Sequence, residues 1–135
     1  MDPRTHDLLV AGCGRGFTVL CTLSDTALLD ALGTIAGSTG LVLAVGPAPP
    51  AGSAWAAVRC DPAHAIPLRS HVVDAAVIQE AADLADLAEE VRRVLVPGGD
   101  VRVLLTNGDD ATSALESASI RVVEHGAGVL IARGP

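Results

Sequence analysis

The sequence predicts an α/β fold: a mostly parallel sheet covered by helices and ending in an antiparallel hairpin, in a single domain over residues 1–135. Three observations predict it. Short apolar runs that suit buried strands alternate with segments whose apolar residues recur at helical spacing, the order of a sheet with crossover helices. Near the start, "LLVAGCGRGF" breaks into glycines at every second position, Gly12, Gly14 and Gly16, as where a strand turns into a helix beside a ligand. The last stretch, "IRVVEHGAGVLIAR", reads as two strands turned at residues Gly126 to Gly128.

In chain order, "DLLVAG" reads as the first buried strand. After the glycines, Val19, Leu20, Leu23, Leu28, Leu32 and Ile35 keep helical spacing, and Ser24 and Asp25 offer a restart, so residues 17–36 form one long helix or two short ones. "GSTG" turns the chain into "LVLAVG", a second buried strand, and "PAPPAGSAW" is a loop because three prolines in four residues block a helix. "AAVRCD" and "VVDAAVIQE" are short strands with "PAHAIPLRSH" between them. Residues 82–95 are a helix with Leu84, Leu87, Val91, Val94 and Leu95 in one stripe, acids early, and Arg92 and Arg93 late. "PGG" stops it, "DVRVLL" is the fifth strand, and "DDATSALESA" is a short helix capped by aspartate. No repeat or linker interrupts this order.

Composition narrows the function. A chain of 135 residues has room for one core, and no apolar run approaches the roughly 20 residues that span a bilayer, so no membrane association is expected. "MDPRTHD" lacks a basic region followed by an apolar stretch, which makes the cytoplasm the expected location. There is no lysine, and nine arginines against sixteen carboxylates give a charge of −7, which repels phosphate backbones and excludes nucleic acid as a partner. Cys13, Cys21 and Cys60 are odd in number and form no C-x-x-C pair, so they read as free thiols without a disulfide or a metal. His6, His64, His71 and His125 match no metal-site spacing and read as surface residues, and the acids of the 82–95 helix read as a solvated face.

Residues 89–105, "EEVRRVLVPGGDVRVLL", resemble the stretch of class I S-adenosylmethionine-dependent methyltransferases in which a helix ends in R-V-L-x-P-G-G before strand five. "CDPAHAIPLRSHVVDAAVIQE" resembles the family's G-D-a-x-x-L-P-f…F-D-x-V segment, and "GCGRG" resembles its glycine-rich first motif. The resemblance covers the chain from Asp7 and is closest to the methyltransferase type 11 group, which includes quinone-biosynthesis enzymes. It implies a three-layer Rossmann-like fold of seven strands with the last reversed. By that resemblance Gly12, Gly14 and Gly16, with Cys13 among them, line the methionine part of the cofactor. Gly46 stands at the ribose, Asp61 beside Pro62 faces the adenine amine, and Gln79 falls where relatives place active-site groups. Asp74 matches a structural aspartate.

The departures carry as much as the matches. Relatives place an acid two residues before the first glycine, where this chain has Val10, and end strand two with an acid, where it has Gly46. Each charge-assisted bond is worth roughly 1.5–3 kcal/mol, so losing both weakens cofactor binding on the order of a hundredfold. Residues 46–55 are too few for the usual crossover, so the helix after strand two is expected to be missing, and the chain begins almost at strand one, without helices that close over substrate. The sequence is therefore read as a methyltransferase-like, degenerate protein, with weak or no S-adenosylmethionine binding and no assigned catalytic residue. It is expected to act through a homodimer or protein partner covering residues 42–60, with Trp55 and the proline loop at or near the contact. The alternative is an active minimal methyltransferase of a small-molecule substrate, its lid borrowed from another subunit. A nicotinamide-binding protein ranks third, because Phe17 stands where G-x-G-x-x-G needs glycine.

Overall fold

The computed structural model describes residues 1–106 and 111–135. Its first element corrects the sequence reading. Residues 7–10 of the expected strand one belong to helix α1 (Pro3–Val10), and residues 11 and 12 follow it, so a helix precedes the first strand. Asp2 caps α1 by accepting the Arg4 N–H at 2.8 Å, and Pro3 stands at the first helical position, where its missing N–H costs nothing. The short run "DLLV" fits one helical face as well as one strand, and the cap decides between them.

The glycine-rich segment follows α1 and leads into strand β1 (Thr18–Cys21), so Val19 and Leu20, expected in a helix, lie in a strand. Asp25 then caps helix α2 (Thr26–Ala36), accepting the Leu28 N–H at 3.1 Å, and this is the one helix between residues 17 and 36. Strand β2 (Leu41–Gly46) matches its expected bounds. No helix separates it from strand β3 (Ala56–Arg59), and the prolines of residues 47–50 account for that absence. Strand β4 (Val73–Gln79) leads through a short turn to helix α3 (Leu84–Val94). Strand β5 (Leu95–Leu104) starts directly after α3 and contains the Pro97–Gly99 segment. That segment stops the helix and then bulges, since the partner of β4 jumps from Leu95 at Val73 to Asp100 at Ala75. Helix α4 (Ala111–Ser117) follows, and its expected aspartate cap lies outside the described residues.

Strands β6 (Arg121–Gly126) and β7 (Val129–Arg133) form the terminal hairpin, with Ala127 and Gly128 both at positive φ as a two-residue hairpin turn requires. The described strands make one sheet in the order β3-β2-β1-β4-β5-β7-β6. β1 to β5 run parallel, and β7 is inserted antiparallel between β5 and β6.

Both sheet faces are buried, so the central strands read as continuous apolar runs rather than alternating ones. Leu20, Leu43, Val45, Ile78 and Val101 face Leu87 and Val91 of α3 and Leu115 of α4. Val19, Cys21, Val42, Ala44 and Val77 face Leu9 of α1 and Leu28, Leu29 and Leu32 of α2. Asp74 accepts the Thr18 N–H at 2.8 Å and ties the start of β1 to β4, the structural role expected of it. Among the described residues no helix is long and apolar enough to cross a membrane.

Candidate functional site

Parallel strands give the sheet two unlike edges, and ligands of open α/β folds bind at the carboxyl edge, where the chain leaves the strands. Here that edge carries a cavity of 340 Å³ between the ends of β2 and β4 and the start of α3. Gly46, Pro62 and Gln79, three of the residues singled out from sequence, line it together, with Thr22, Glu80 and Asp83 supplying further polar groups. A smaller pocket of 180 Å³ continues it beneath the proline loop, sharing Thr22, Val45, Gly46 and Pro47. Thr22 Oγ1 accepts the Gln79 N–H at 3.1 Å and joins the exit of β1 to the end of β4.

Gly12, Cys13, Gly14 and Gly16 are elsewhere. They precede β1 and lie at the amino edge, separated from the cavity by the length of a four-residue strand, about 13 Å. This corrects the expectation of a strand–bend–helix site, and it relocates Val10, which ends α1 and does not lie at the exit of strand one. Each glycine has a local structural reason. A Cβ on Gly12 would collide with the Asp100 carboxylate, one on Gly14 would press on the Phe17 ring at 3.1 Å, and Gly16 adopts φ +80° while donating its N–H to Ala36 O at 2.8 Å. Asp100 is itself buried and held by Arg102 through Nε at 2.7 Å and Nη2 at 3.0 Å, and Arg102 Nη1 donates to Leu8 O at 3.2 Å. The glycine segment seats α1 on this ion pair.

The segment that does leave β1 at the carboxyl edge is Thr22–Asp25, which contains no glycine. The last residue of β1 is Cys21, whose thiol is pushed up to about 12 chiefly by burial, so this side chain is uncharged at neutral pH, and the nearby Asp25 carboxylate caps α2. β2 ends at Gly46, again without a side chain. Asp61 stands beside the cavity rather than in its wall, and its carboxylate lies 2.7 Å from His64 Nδ1, with both side chains largely exposed. His64 is a surface residue, as expected, but it is a partner of Asp61.

Two acids carry more than the sequence suggested. Glu80 ends the apolar run of β4, is buried, and accepts the Thr106 N–H at 3.0 Å beside Gln79. Its signal was a carboxylate closing the run "AAVIQE". Glu90, expected on a solvated helix face, accepts the Ile66 N–H at 2.8 Å and pairs with Arg93 at 3.0 Å. The Arg93 guanidinium donates in turn to Leu68 O at 2.8 Å and Ile66 O at 2.7 Å, so α3 clamps the loop that carries Pro62. The hydrogen bond from Arg93 holds the Glu90 carboxyl below its usual range against the opposing effect of burial. Cys13, Cys21 and Cys60 are free thiols, and among the described residues no three His, Cys, Asp or Glu side chains are placed to hold a metal ion.

No protein-family model and no curated protein matches the sequence. Solved structures do match the fold. An S-adenosylmethionine-dependent methyltransferase from Aquifex aeolicus superposes with a TM-score of 0.74 at 18% identity, over 98% of this chain and 93% of that one. The Burkholderia thailandensis 1,6-didemethyltoxoflavin-N1-methyltransferase, solved with 1,6-didemethyltoxoflavin and S-adenosylhomocysteine, gives 0.70 at 16% identity over 98% and 77%. A methyltransferase in complex with the Haloferax volcanii Trm112 methyltransferase activator gives 0.71 at 18% identity over 89% and 69%. Strand order, the reversed β7 and these superpositions together give the chain the three-layer, Rossmann-like fold of the class I S-adenosylmethionine-dependent methyltransferases, without the helix that follows strand two.

Proposed function

We propose that this protein is a methyltransferase-like protein that binds S-adenosylmethionine weakly or not at all and acts through association with a protein partner or a second copy around residues 42–60. One observation carries the reading. Where β1 and β2 reach the carboxyl edge, the chain offers Cys21, a glycine-free turn whose one acid, Asp25, is engaged in capping α2, and Gly46, so neither strand end supplies a free charged anchor or a glycine bend. The residues present do not fit a tightly held cofactor. Asp61, the remaining acid of the expected set, is engaged by His64 of its own chain. The missing crossover helix leaves β3 largely exposed, which supports association there. The complex of a methyltransferase of this fold with an activator is a precedent for such a role.

Calorimetry of the whole chain with S-adenosylhomocysteine tests the reading, with no heat expected at micromolar ligand. A dissociation constant of about 10 μM or tighter, some 7 kcal/mol of binding, overturns it. The second reading, an active minimal methyltransferase of a small molecule, would use the cavity that joins Gly46, Pro62 and Gln79 to Glu80. Tight binding in the same titration would select it.

A further inference from the structure

Among the described residues the sheet has two free edges, and they are built differently. β6 is blunted: its pairing with β7 is bulged at Val123, and Arg121, Glu124 and His125 stand exposed along it. β3 has no bulge, and its single charged residue, Arg59, stands at its end. It reads Ala-Ala-Val-Arg and is exposed at every position but Val58. Because Cys60 N–H donates to Gly46 O across the β2–β3 ladder, the alternate residues Ala57 and Arg59 point their N–H and C=O groups away from β2. Resting on the association reading above, we propose that two copies of this chain pair β3 with β3 in antiparallel register centred on Ala57, joining the two sheets into one.

The register follows from the residues. With Ala57 opposite itself, the 57–57 pair is a hydrogen-bonded one, and Trp55, the residue before β3, is brought opposite Arg59 of the second copy if the ladder extends by one residue. Ala57 pairs with Ala44 in the β2–β3 register and shares its face, the face packed by α2, and so do Trp55 and Arg59 at two-residue spacing. The crossover helix is missing there, so the guanidinium of one copy can lie on the half-buried indole of the other. The indole is already fixed, its Nε1–H donating to Pro50 O at 2.8 Å.

The test is sedimentation of the full chain beside three variants. Ala57→Pro removes an outward N–H and spares the β2–β3 ladder, so a folded monomer with unchanged far-ultraviolet dichroism is expected from a dimeric parent. Arg59→Glu is expected to weaken the dimer at least tenfold. Ala57→Cys is expected to link the two copies when oxidised glutathione is added, because residues directly opposite in this register lie within disulfide reach at about 5.5 Å between Cα atoms. A parent chain that stays monomeric at millimolar concentration overturns the proposal. So does a dimer that survives Ala57→Pro in a folded chain, which leaves association through another surface standing. If Ala57→Pro does not fold, Arg59→Glu and Ala57→Cys decide alone. Calorimetry on the same samples judges the cofactor reading separately.

Discussion

Replacing Gly12 by alanine separates a structural glycine segment from a cofactor loop. The added Cβ would overlap both oxygens of the Asp100 carboxylate, the farther at 2.9 Å. That carboxylate cannot swing aside freely, since its side chain is 5% exposed and Arg102 holds both oxygens. One relief is to rotate Asp100 and break the buried pair, which costs about 3–5 kcal/mol when a partner is lost outright. The other is to lift the 11–14 segment and loosen the Arg102–Leu8 bond that holds α1, a strain of about 1–3 kcal/mol by analogy with overpacked cores. The expected loss is about 2–4 kcal/mol, a large share of the roughly 5–15 kcal/mol that stabilises a domain. At roughly 3–5 °C per kcal/mol for this length, the melting temperature falls by about 6–20 °C. Gly46→Ala is the control: no atom lies within 4 Å of its Cβ position and its φ is not left-handed, so stability stays within about 0.5 kcal/mol. Urea unfolding followed by dichroism reads both, provided the slope is unchanged. A Gly12→Ala midpoint equal to the parent's refutes the reasoning, as does an equal fall in the control.

Glu90→Gln is expected to cost about 1 kcal/mol at neutral pH, the discounted value of a charge-assisted bond with one side open to water. Because the folded carboxyl titrates below its unfolded value of roughly 4.3, the contribution is present above that pH and disappears as pH falls through the lower, folded value. Parent and variant stabilities should therefore converge in acid, and a gap that widens there contradicts the clamp. Cys21 is fully buried with its thiol pushed up to about 12, so iodoacetamide at mild alkaline pH should label it only after denaturation, while half-buried Cys13 and Cys60 react in the folded protein. Mass spectrometry of the native, labelled chain checks this, and early modification of Cys21 would contradict its place in the sheet.

β2, α3 and the hairpin were legible because each combines a pattern with punctuation: "LVLAVG" ends at a proline, the α3 stripe ends at "PGG", and "GAG" separates two apolar runs. The first forty residues misled for the opposite reason. "DLLV" is too short to show a period, "TVLC" is a four-residue strand whose apolar residues also fit a helical spacing that continues downstream to Ile35, and the glycines between them resemble a ligand loop whichever edge they occupy. Only the Asp2–Pro3 cap signals the helix, and it is a local cue set against a motif. Gly46 and Gln79 lie together at the carboxyl edge because the apolar runs of β2 and β4 end there, as their punctuation suggests, while Pro62 follows from the family resemblance. The roles of Glu80 and Glu90 depend on Thr106 and Ile66, more than twenty residues away, which no local pattern encodes.

The anchoring of α1 sets an order of events. Thr5 Oγ1 donates to Ala127 O at 2.7 Å across 122 residues, and Arg102 reaches Leu8 across 94. On the ribosome, at roughly 5–20 residues per second, α1 therefore waits about 6–24 s for the hairpin that receives it. In that interval Leu9, completely buried in the finished protein, has no sheet to rest on. An eight-residue helix is too short to persist alone in water, so the segment stays unstructured until β7 enters the sheet. α1 is then ordered no sooner than the hairpin that lies 122 residues after it.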